Sequence, residues 1–219
     1  MLVLAFILTI VLAYLLGSIP TGFLVGKAKG IDIRKVGSGN IGATNVFRSL
    51  GKPAGIFVLL ADAFKGWAAV AIVAALVIGW LGSSISVLTS DWLKISAALA
   101  AILGHNYTCW LYFKGGKGIA TSAGALGALV PVALLIILGV WIVVVALTRY
   151  VSLGSISAAL VLPFATWITQ RNLNLTIVAA AMGTLAIYKH RSNIKRLLDG
   201  TESQFGRKQT AGQPPSRNP

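Results

Sequence analysis

Glycines and polar side chains are concentrated in one short stretch of this otherwise apolar chain, residues 37–48, with the sequence GSGNIGATNVFR. Because glycine has no Cβ and adopts positive φ readily, backbone N–H groups in such a stretch can converge on an anion. Serine, threonine and asparagine add hydroxyl and amide donors, and arginine adds a fork that matches phosphate. The stretch predicts a phosphate or carboxylate site; the alternative is a flexible connector between membrane helices. The residues predicted to bind the anion are Gly37, Ser38, Gly39, Asn40, Thr44, Asn45 and Arg48.

A second stretch, KGGKG at residues 114–118, repeats this chemistry in a shorter form, and a small polar turn at residues 149–155 follows further along the chain. The second lysine is not followed directly by Ser or Thr, so the stretch is not a Walker nucleotide-binding loop. Two glycine-rich stretches of this kind indicate that the protein binds two anionic groups. The further residues predicted to bind them are Lys114, Gly115, Gly116, Lys117, Gly118, Thr121, Ser152 and Ser155.

The composition restricts both the class of protein and its chemistry. Of 219 residues, 56% are hydrophobic, and the mean hydropathy of +0.82 is that of a polytopic membrane protein. Long apolar segments must be helices, since a backbone in hydrocarbon has to satisfy its own hydrogen bonds. With only five acidic residues, a paired-carboxylate hydrolase or a carboxylate-bound metal centre is poorly supported. We therefore predict an all-α membrane protein with no metal and no cofactor.

The net charge of +14 does not indicate a nucleic-acid partner, because the basic residues lie in segments that alternate with the apolar runs. Under the positive-inside rule this pattern places the N-terminus outside and the C-terminus in the cytoplasm. Seven crossings are predicted, with a bend at Pro131; a re-entrant hairpin there would leave five. We expect residues 79–92 to form an external loop, residues 1–202 a single domain, and residues 203–219 a disordered basic cytoplasmic tail. The apolar segments are residues 2–25, 54–81, 95–113, 119–147 (two crossings), 156–168 and 175–188.

Three ionisable residues lie inside the apolar segments. Asp62 and Lys65 are three residues apart and share a helix face, so they form an ion pair or, alternatively, Lys65 reaches the anion site. His105 lies in the third segment and is either a hydrogen-bonded packing residue or a catalytic group. The ion pair and the packing role are the simpler interpretations.

The order of these motifs is also familiar: the chain resembles the bacterial membrane glycerol-3-phosphate acyltransferases that use acyl phosphate as donor, the PlsY family. The resemblance covers about residues 10–202 and departs from the family at no motif position. The matching motifs are GSIPTG at 17–22, GSGNIGATNVFR at 37–48, DAFKG at 62–66, GHNY at 104–107, FKGGKGIAT at 113–121, SLGSI at 152–156 and HRSNIKRLLDGTE at 190–202.

The resemblance implies transfer of a fatty acyl group from acyl phosphate to the 1-hydroxyl of sn-glycerol 3-phosphate, giving lysophosphatidate and inorganic phosphate in phospholipid synthesis. It implies a bacterial cytoplasmic (inner) membrane, a site facing the cytoplasm, and a metabolic link to a soluble enzyme that makes acyl phosphate. By similarity, Ser38, Lys117, His190 and Asn193 hold glycerol 3-phosphate, while Ser152 and Ser155 complete the donor pocket.

The mechanism expected is direct attack of the glycerol hydroxyl on the acyl carbonyl, without an acyl-enzyme. The proton acceptor is either His190 or the phosphate of the donor. Two other classes are weighed against this one. A membrane transporter of anions or phosphate esters would also use glycine-rich helix ends and basic residues, and an intramembrane serine protease would use Ser38 and His105.

Overall fold

A computed structural model describes residues 1–82 and 85–206, and this part of the chain is helical with connecting loops and no strand. It divides into two compact units, Met1–Leu134 and the residues from Leu135 onward. The helices are α1 Leu2–Ser18, α2 Thr21–Ala28, α3 Ala43–Leu50, α4 Lys52–Ala68, α5 Ala75–Leu81, α6 Val87–Asn106, α7 Ile119–Leu129, α8 Pro131–Thr148, α9 Val151–Gln170, α10 Leu173–Lys189 and α11 Arg191–Leu198.

Five stretches of the described chain are long and apolar enough to cross a membrane. This confirms the all-helical, multi-pass membrane architecture predicted from composition. The stretches are Leu2–Ala28, Lys52–Leu81, Val87–Leu111, Pro131–Thr148 and Val151–Gln170.

In the first unit, α1 and α6 pack through small side chains. A buried cluster at this contact contains Ala13 and Ala97, with Ala69 and Ala74 from the stretch after α4. Small residues let helix backbones approach closely, which favours association where lipid supplies little hydrophobic driving force. The stretch Ala69–Ala74 is π-helical and joins α4 to α5 within one continuous span.

The boundaries of α6 correct two predictions. The external loop predicted at residues 79–92 is too long, because α6 begins at Val87, where the Ser86 hydroxyl accepts a hydrogen bond from the Thr89 N–H and caps the helix. The helix then ends at Asn106, not near residue 113, and a short 3₁₀ turn follows at Cys109–Leu111. His105 therefore lies in the last turn of α6 and not between apolar turns.

The break predicted at Pro131 is confirmed, since α7 ends at Leu129 and Pro131 is the first residue of α8. α7 has 11 residues, which rise about 16 Å along the axis, roughly half of the hydrocarbon thickness. Among the residues that the structure describes, α7 is one of two shorter apolar helices, the other being Leu173–Lys189. The second has 17 residues, which is the lower limit for a full crossing.

In the second unit, α9 and α10 pack against each other. α9 is longer than the predicted segment at residues 156–168, because it includes the serines of the small polar turn. Part of the predicted disordered tail is ordered: the Phe205 N–H donates a hydrogen bond to the Arg149 carbonyl at 2.7 Å. The rest of that prediction, for residues 207–219, lies outside the described residues.

Candidate active site

The first glycine-rich loop of the first unit is built around the buried amide of Asn45. Its Nδ2 donates to the carbonyls of Ile33, Val36 and Asn40 at 3.1, 3.1 and 2.8 Å, and its Oδ1 accepts the Ser38 N–H at 2.9 Å. These contacts engage both ends of the amide with the loop backbone. We therefore expect Asn45, predicted as an anion ligand, to act through the shape of the loop.

Gly37 explains why a glycine is needed in this loop. Its φ is 57°, and a Cβ at this position would collide with Oδ1 of Asn45. Neighbouring N–H groups are also used internally, because Gly39 donates to the Val36 carbonyl at 3.0 Å and Gly42 donates to Oδ1 of Asn40 at 2.7 Å. Anion binding by this loop stays a prediction, and we expect it to depend on side chains more than on converging N–H groups.

The remaining side chains predicted to bind in this loop are more accessible. Ser38 and Arg48 are exposed, and Thr44 is half-buried near the start of α3. Their two hydroxyls and one guanidinium are suitable hydrogen-bond donors to phosphate oxygens.

Replacing Asn45 with alanine is expected to reduce kcat/KM about 100-fold, because a misplacement of about 1 Å in a positioning loop has an effect of that size. Steady-state kinetics of the purified protein in lipid would measure the change. Asn172→Ala is the matched control, since this residue only caps α10, and it should leave kcat/KM unchanged. Full activity in Asn45→Ala would contradict the structural role assigned to its amide.

The second glycine-rich loop connects the C-terminus of α6 to the N-terminus of α7. The Gly115 N–H donates to the Asn106 carbonyl at 3.3 Å, and the Gly116 N–H donates to the His105 carbonyl at 3.0 Å. The loop thereby satisfies carbonyls that lack partners within the helix. Gly118 precedes the first turn of α7, so Lys117 lies immediately before the positive end of that helix.

The binding residues predicted in this loop differ in exposure. Lys117 and Gly115 are half-buried, Lys114 is exposed, and Gly116 is buried. Thr121 is fully buried in the first turn of α7. A half-buried lysine beside helix N–H groups is a setting that favours a phosphate group.

The predicted ion pair within α4 is confirmed. Nζ of Lys65 lies 2.8 Å from Oδ1 of Asp62, and both side chains are buried. Nζ also donates to the Ile19 carbonyl at 2.8 Å, and Asp62 accepts a hydrogen bond from the Thr21 hydroxyl at 3.1 Å. Contact between Lys65 and a phosphate stays a prediction.

In the second unit, the carboxylate of Glu202 joins three polar side chains. Its Oε1 accepts from the Ser152 hydroxyl and from Nδ2 of Asn193, and its Oε2 accepts from Nε of Arg196, each at 2.7 Å. The Glu202 side chain is only 6% exposed. Two residues predicted to bind substrate, Ser152 and Asn193, are thus fixed by one carboxylate.

Glu202 is absent from the site residues predicted from the sequence, although it ends the last family motif. The available signal was its rarity, since only five acidic residues occur in the chain. Its hydrogen-bond partner Ser152 is 50 residues away in sequence, so spacing alone did not indicate the pairing.

Acid is expected to weaken the second unit through Glu202. Burial opposes ionisation, but hydrogen bonds from Ser152, Asn193 and Arg196 outweigh it and hold the pKa of Glu202 below its ordinary value of 4.5. The stabilisation is therefore fully present above pH 4.5 and is lost as pH falls through the folded-state pKa. Thermal unfolding of the protein and of Glu202→Gln between about pH 6 and about pH 3 would measure this, and the difference between them should shrink with acid. A constant difference would contradict the prediction.

His190 connects α10 to α11, and one of its contacts indicates which ring nitrogen carries the proton. Nδ1 lies 2.8 Å from the Ala186 carbonyl, and because a carbonyl only accepts, Nδ1 carries the proton. Nε2 is therefore the ring atom with acceptor capacity in the neutral imidazole.

Ser155, also predicted to bind substrate, makes two hydrogen bonds within the second unit. Its hydroxyl donates to the Val151 carbonyl at 3.0 Å and accepts from Nε1 of Trp141 at 3.3 Å.

These features define a multi-pass helical membrane protein whose loops and helix ends carry donor groups of the kinds that suit phosphate. Within residues 1–82 and 85–206, no cluster of three or more His, Cys, Asp or Glu side chains is arranged to hold a metal ion. The two glycine-rich loops carry hydroxyl, amide and cationic donors, whereas the buried carboxylates Asp62 and Glu202 lie in the ion pair of α4 and in the polar cluster of the second unit.

Comparison with known proteins agrees with this description. The profile of the glycerol-3-phosphate acyltransferase family matches residues 7–200. A glycerol-3-phosphate acyltransferase of Desulforamulus reducens is 46% identical over 93% of this chain and 97% of its own. One of Geobacter sulfurreducens is 47% identical over 88% of this chain and 94% of its own.

Two solved structures of PlsY (YgiH), an integral membrane glycerol 3-phosphate acyltransferase, have the same fold. The glycerol 3-phosphate form is 40% identical, with a TM-score of 0.81 over 92% of this chain and 96% of that chain. The lysophosphatidic acid form is 39% identical, with a TM-score of 0.78 over 92% and 95%. This chain belongs to the glycerol-3-phosphate acyltransferase family.

Proposed function

We propose that this protein transfers a fatty acyl group from acyl phosphate to the 1-hydroxyl of sn-glycerol 3-phosphate, which yields lysophosphatidate and inorganic phosphate. The observation that carries the proposal is the likeness to a relative solved in glycerol 3-phosphate and lysophosphatidic acid forms, the acceptor and product of this reaction. Family membership supplies the reaction class, an acyltransferase of phospholipid synthesis. The choice of acyl phosphate as the acyl donor goes beyond family membership. It is consistent with the two phosphate-binding loops predicted from the sequence, because both substrates would then carry a phosphate group.

The proposed reaction is a direct transfer. The glycerol oxygen attacks the acyl carbonyl carbon, a new C–O ester bond forms, and the bond from the carbonyl carbon to the bridging oxygen breaks. The bridging oxygen leaves with the phosphate. Because acyl phosphate is a mixed anhydride with a good leaving group, the protein has mainly to orient both reactants and stabilise developing negative charge.

The residues of each unit receive distinct roles in this proposal. Following the family resemblance, Ser38, Lys117, His190 and Asn193 bind glycerol 3-phosphate. Arg48 binds a phosphate group, supported by its exposure at the end of α3. The protein is proposed to act at the cytoplasmic (inner) membrane of a bacterium, with its basic loops in the cytoplasm and residues 1–202 as one functional domain. About seven crossings are proposed, with five plus a re-entrant hairpin as the alternative.

Two groups are candidates to accept the proton of the attacking hydroxyl. The donor phosphate accepts it without any protein base, or Nε2 of His190 does so, which the contact of Nδ1 with Ala186 supports. In both cases the protein forms no acyl-enzyme. A separate, soluble enzyme must make the acyl phosphate. Because the site is proposed to face the cytoplasm, that enzyme would act in the cytoplasm.

The experiment that tests the proposal follows both products in purified protein reconstituted into lipid. Acyl phosphate is supplied with and without glycerol 3-phosphate. We expect lysophosphatidate and phosphate to form in equal amounts and only when both substrates are present. If no turnover is found and a phosphate ester is taken up into sealed vesicles, the acyltransferase proposal would be rejected in favour of a transporter.

A further inference from the structure

Three ionisable side chains are buried within the apolar part of the first unit and take no part in the proposed chemistry. Asp62, Lys65 and His105 are 2%, 4% and 4% exposed. Ionisable groups at membrane depth are costly and occur where they pair or serve a site. The ion pair explains two of them, but it leaves open why an imidazole lies beside the pair.

The first connection of this cluster is to the break between α1 and α2. Lys65 donates to the carbonyl of Ile19, the residue that ends α1, and Asp62 accepts from Thr21, the first residue of α2. A cation at a helix C-terminus is favourable, and the freed carbonyl needs a donor in hydrocarbon. This connection is structural.

The second connection is to the loop that carries Lys117. Nδ1 of His105 lies 3.7 Å from Oδ1 of Asp62, while the other side of the imidazole faces Gly116 so closely that a Cβ there would collide with Nε2. The His105 carbonyl also accepts the Gly116 N–H. The ring and the backbone of one residue thus contact the same loop glycine.

From these contacts we propose that Asp62 and His105 are positioning residues for Lys117. Asp62 orients the imidazole of His105 through the ion-pair contact at 3.7 Å, which is longer than a hydrogen bond, and the imidazole and the carbonyl of His105 together hold Gly116 in place. Gly116 in turn sets the place of Lys117 and of the first turn of α7. The kinetic part of this inference rests on the proposed acyl transfer.

A purely structural ion pair makes a different prediction. Asp62→Asn keeps an amide oxygen that accepts from Thr21 and leaves Lys65 in place to donate to the Ile19 carbonyl, but it removes the charge beside His105. If the pair is only structural, this variant keeps its KM and kcat below its unfolding temperature, even where that temperature is lowered. If Asp62 positions the loop, kcat/KM falls at least about tenfold under the same conditions.

A double-mutant cycle between His105 and Gly116 tests the contact itself. Gly116→Ala is expected to lower kcat/KM at least about tenfold, because its Cβ meets the imidazole. In His105→Ala, where the ring is removed, adding Gly116→Ala should change kcat/KM less than about threefold. An equal loss in both backgrounds would mean that the methyl group blocks substrate, and would overturn the proposal.

A spectroscopic readout separates this inference from the proposed function. A nitroxide on Phe113→Cys, an exposed position beside the loop, is placed in a Cys109→Ser background. Asp62→Asn and His105→Ala should each increase label mobility. Asp91→Asn, an exposed carboxylate on α6, is the matched control and should not. Unchanged spectra in both variants would overturn the proposal even if acyl transfer is confirmed, and increased mobility would support it even if acyl phosphate is not the donor.

Discussion

Replacing Lys117 with alanine is expected to lower kcat/KM for lysophosphatidate formation about 100- to 1,000-fold. Lys117 is half-buried, and only Gly118 separates it from α7. Its positive charge is expected to add to that of the helix N-terminus and to stabilise charge on a transferring or leaving phosphate. Its effect should therefore be greater in the transition state than in the ground state, and kcat should fall with kcat/KM. Product formation in lipid at saturating and limiting substrate would measure both constants.

Two further variants make this prediction specific. Lys117→Arg keeps the charge but changes its shape, so partial activity is expected. Lys29→Ala removes an exposed lysine of the segment after α2, changes the net charge equally, and should leave both constants unchanged. Equal losses in Lys117→Ala and Lys29→Ala would indicate a general effect of charge and would contradict a specific role for Lys117.

Replacing Glu202 with glutamine is expected to lower the free energy of unfolding by about 2–4 kcal/mol. The glutamine amide places a donor where Oε2 accepts from Arg196, or breaks the bonds from Ser152 and Asn193 if it flips. Either arrangement leaves buried polar groups unsatisfied. Activity should fall as well, because a flipped amide removes the acceptor of Asn193 and the other arrangement breaks the contact with Arg196 in the same cluster. Circular dichroism during thermal unfolding in detergent would measure the stability.

Asp199→Asn is the matched control for Glu202. Asp199 is an exposed carboxylate directly after α11, and its replacement should change stability by no more than about 0.5 kcal/mol. A loss of similar size in Asp199→Asn and Glu202→Gln would contradict the role of Glu202 as the hydrogen-bonding centre of the second unit.

The apolar helices and the ion pair were predictable because their signals are local. Pro131 ends one helical pattern and begins another, and Asp62 and Lys65 are three positions apart, a spacing that places two side chains on one face of a helix. The end of α6 was not predictable in this way. Tyr112 and Phe113 continue the apolar pattern, yet both adopt positive φ of 53° and 60° after the helix has ended.

The anion-binding loops were predicted from residue type, but the roles within them depend on tertiary contacts. Asn45 and Ser38 are both polar residues of one loop, and only the structure distinguishes the buried amide that shapes it from the exposed serine. The sequence does not distinguish Gly116 from the other glycines of the anion-binding loops, whereas the structure shows its contact with His105. Such contacts join residues that are distant in sequence, and no spacing rule identifies them.

Isotope exchange tests direct acyl transfer most directly. Radiolabelled phosphate is incubated with unlabelled acyl phosphate and the reconstituted protein, without glycerol 3-phosphate, and the label in acyl phosphate is measured. The same preparation must form lysophosphatidate when glycerol 3-phosphate is added. Direct transfer predicts no exchange in the absence of the acceptor, because the bond to phosphate breaks only when the glycerol oxygen attacks. Rapid exchange without the acceptor would require an acyl-enzyme and would contradict the mechanism.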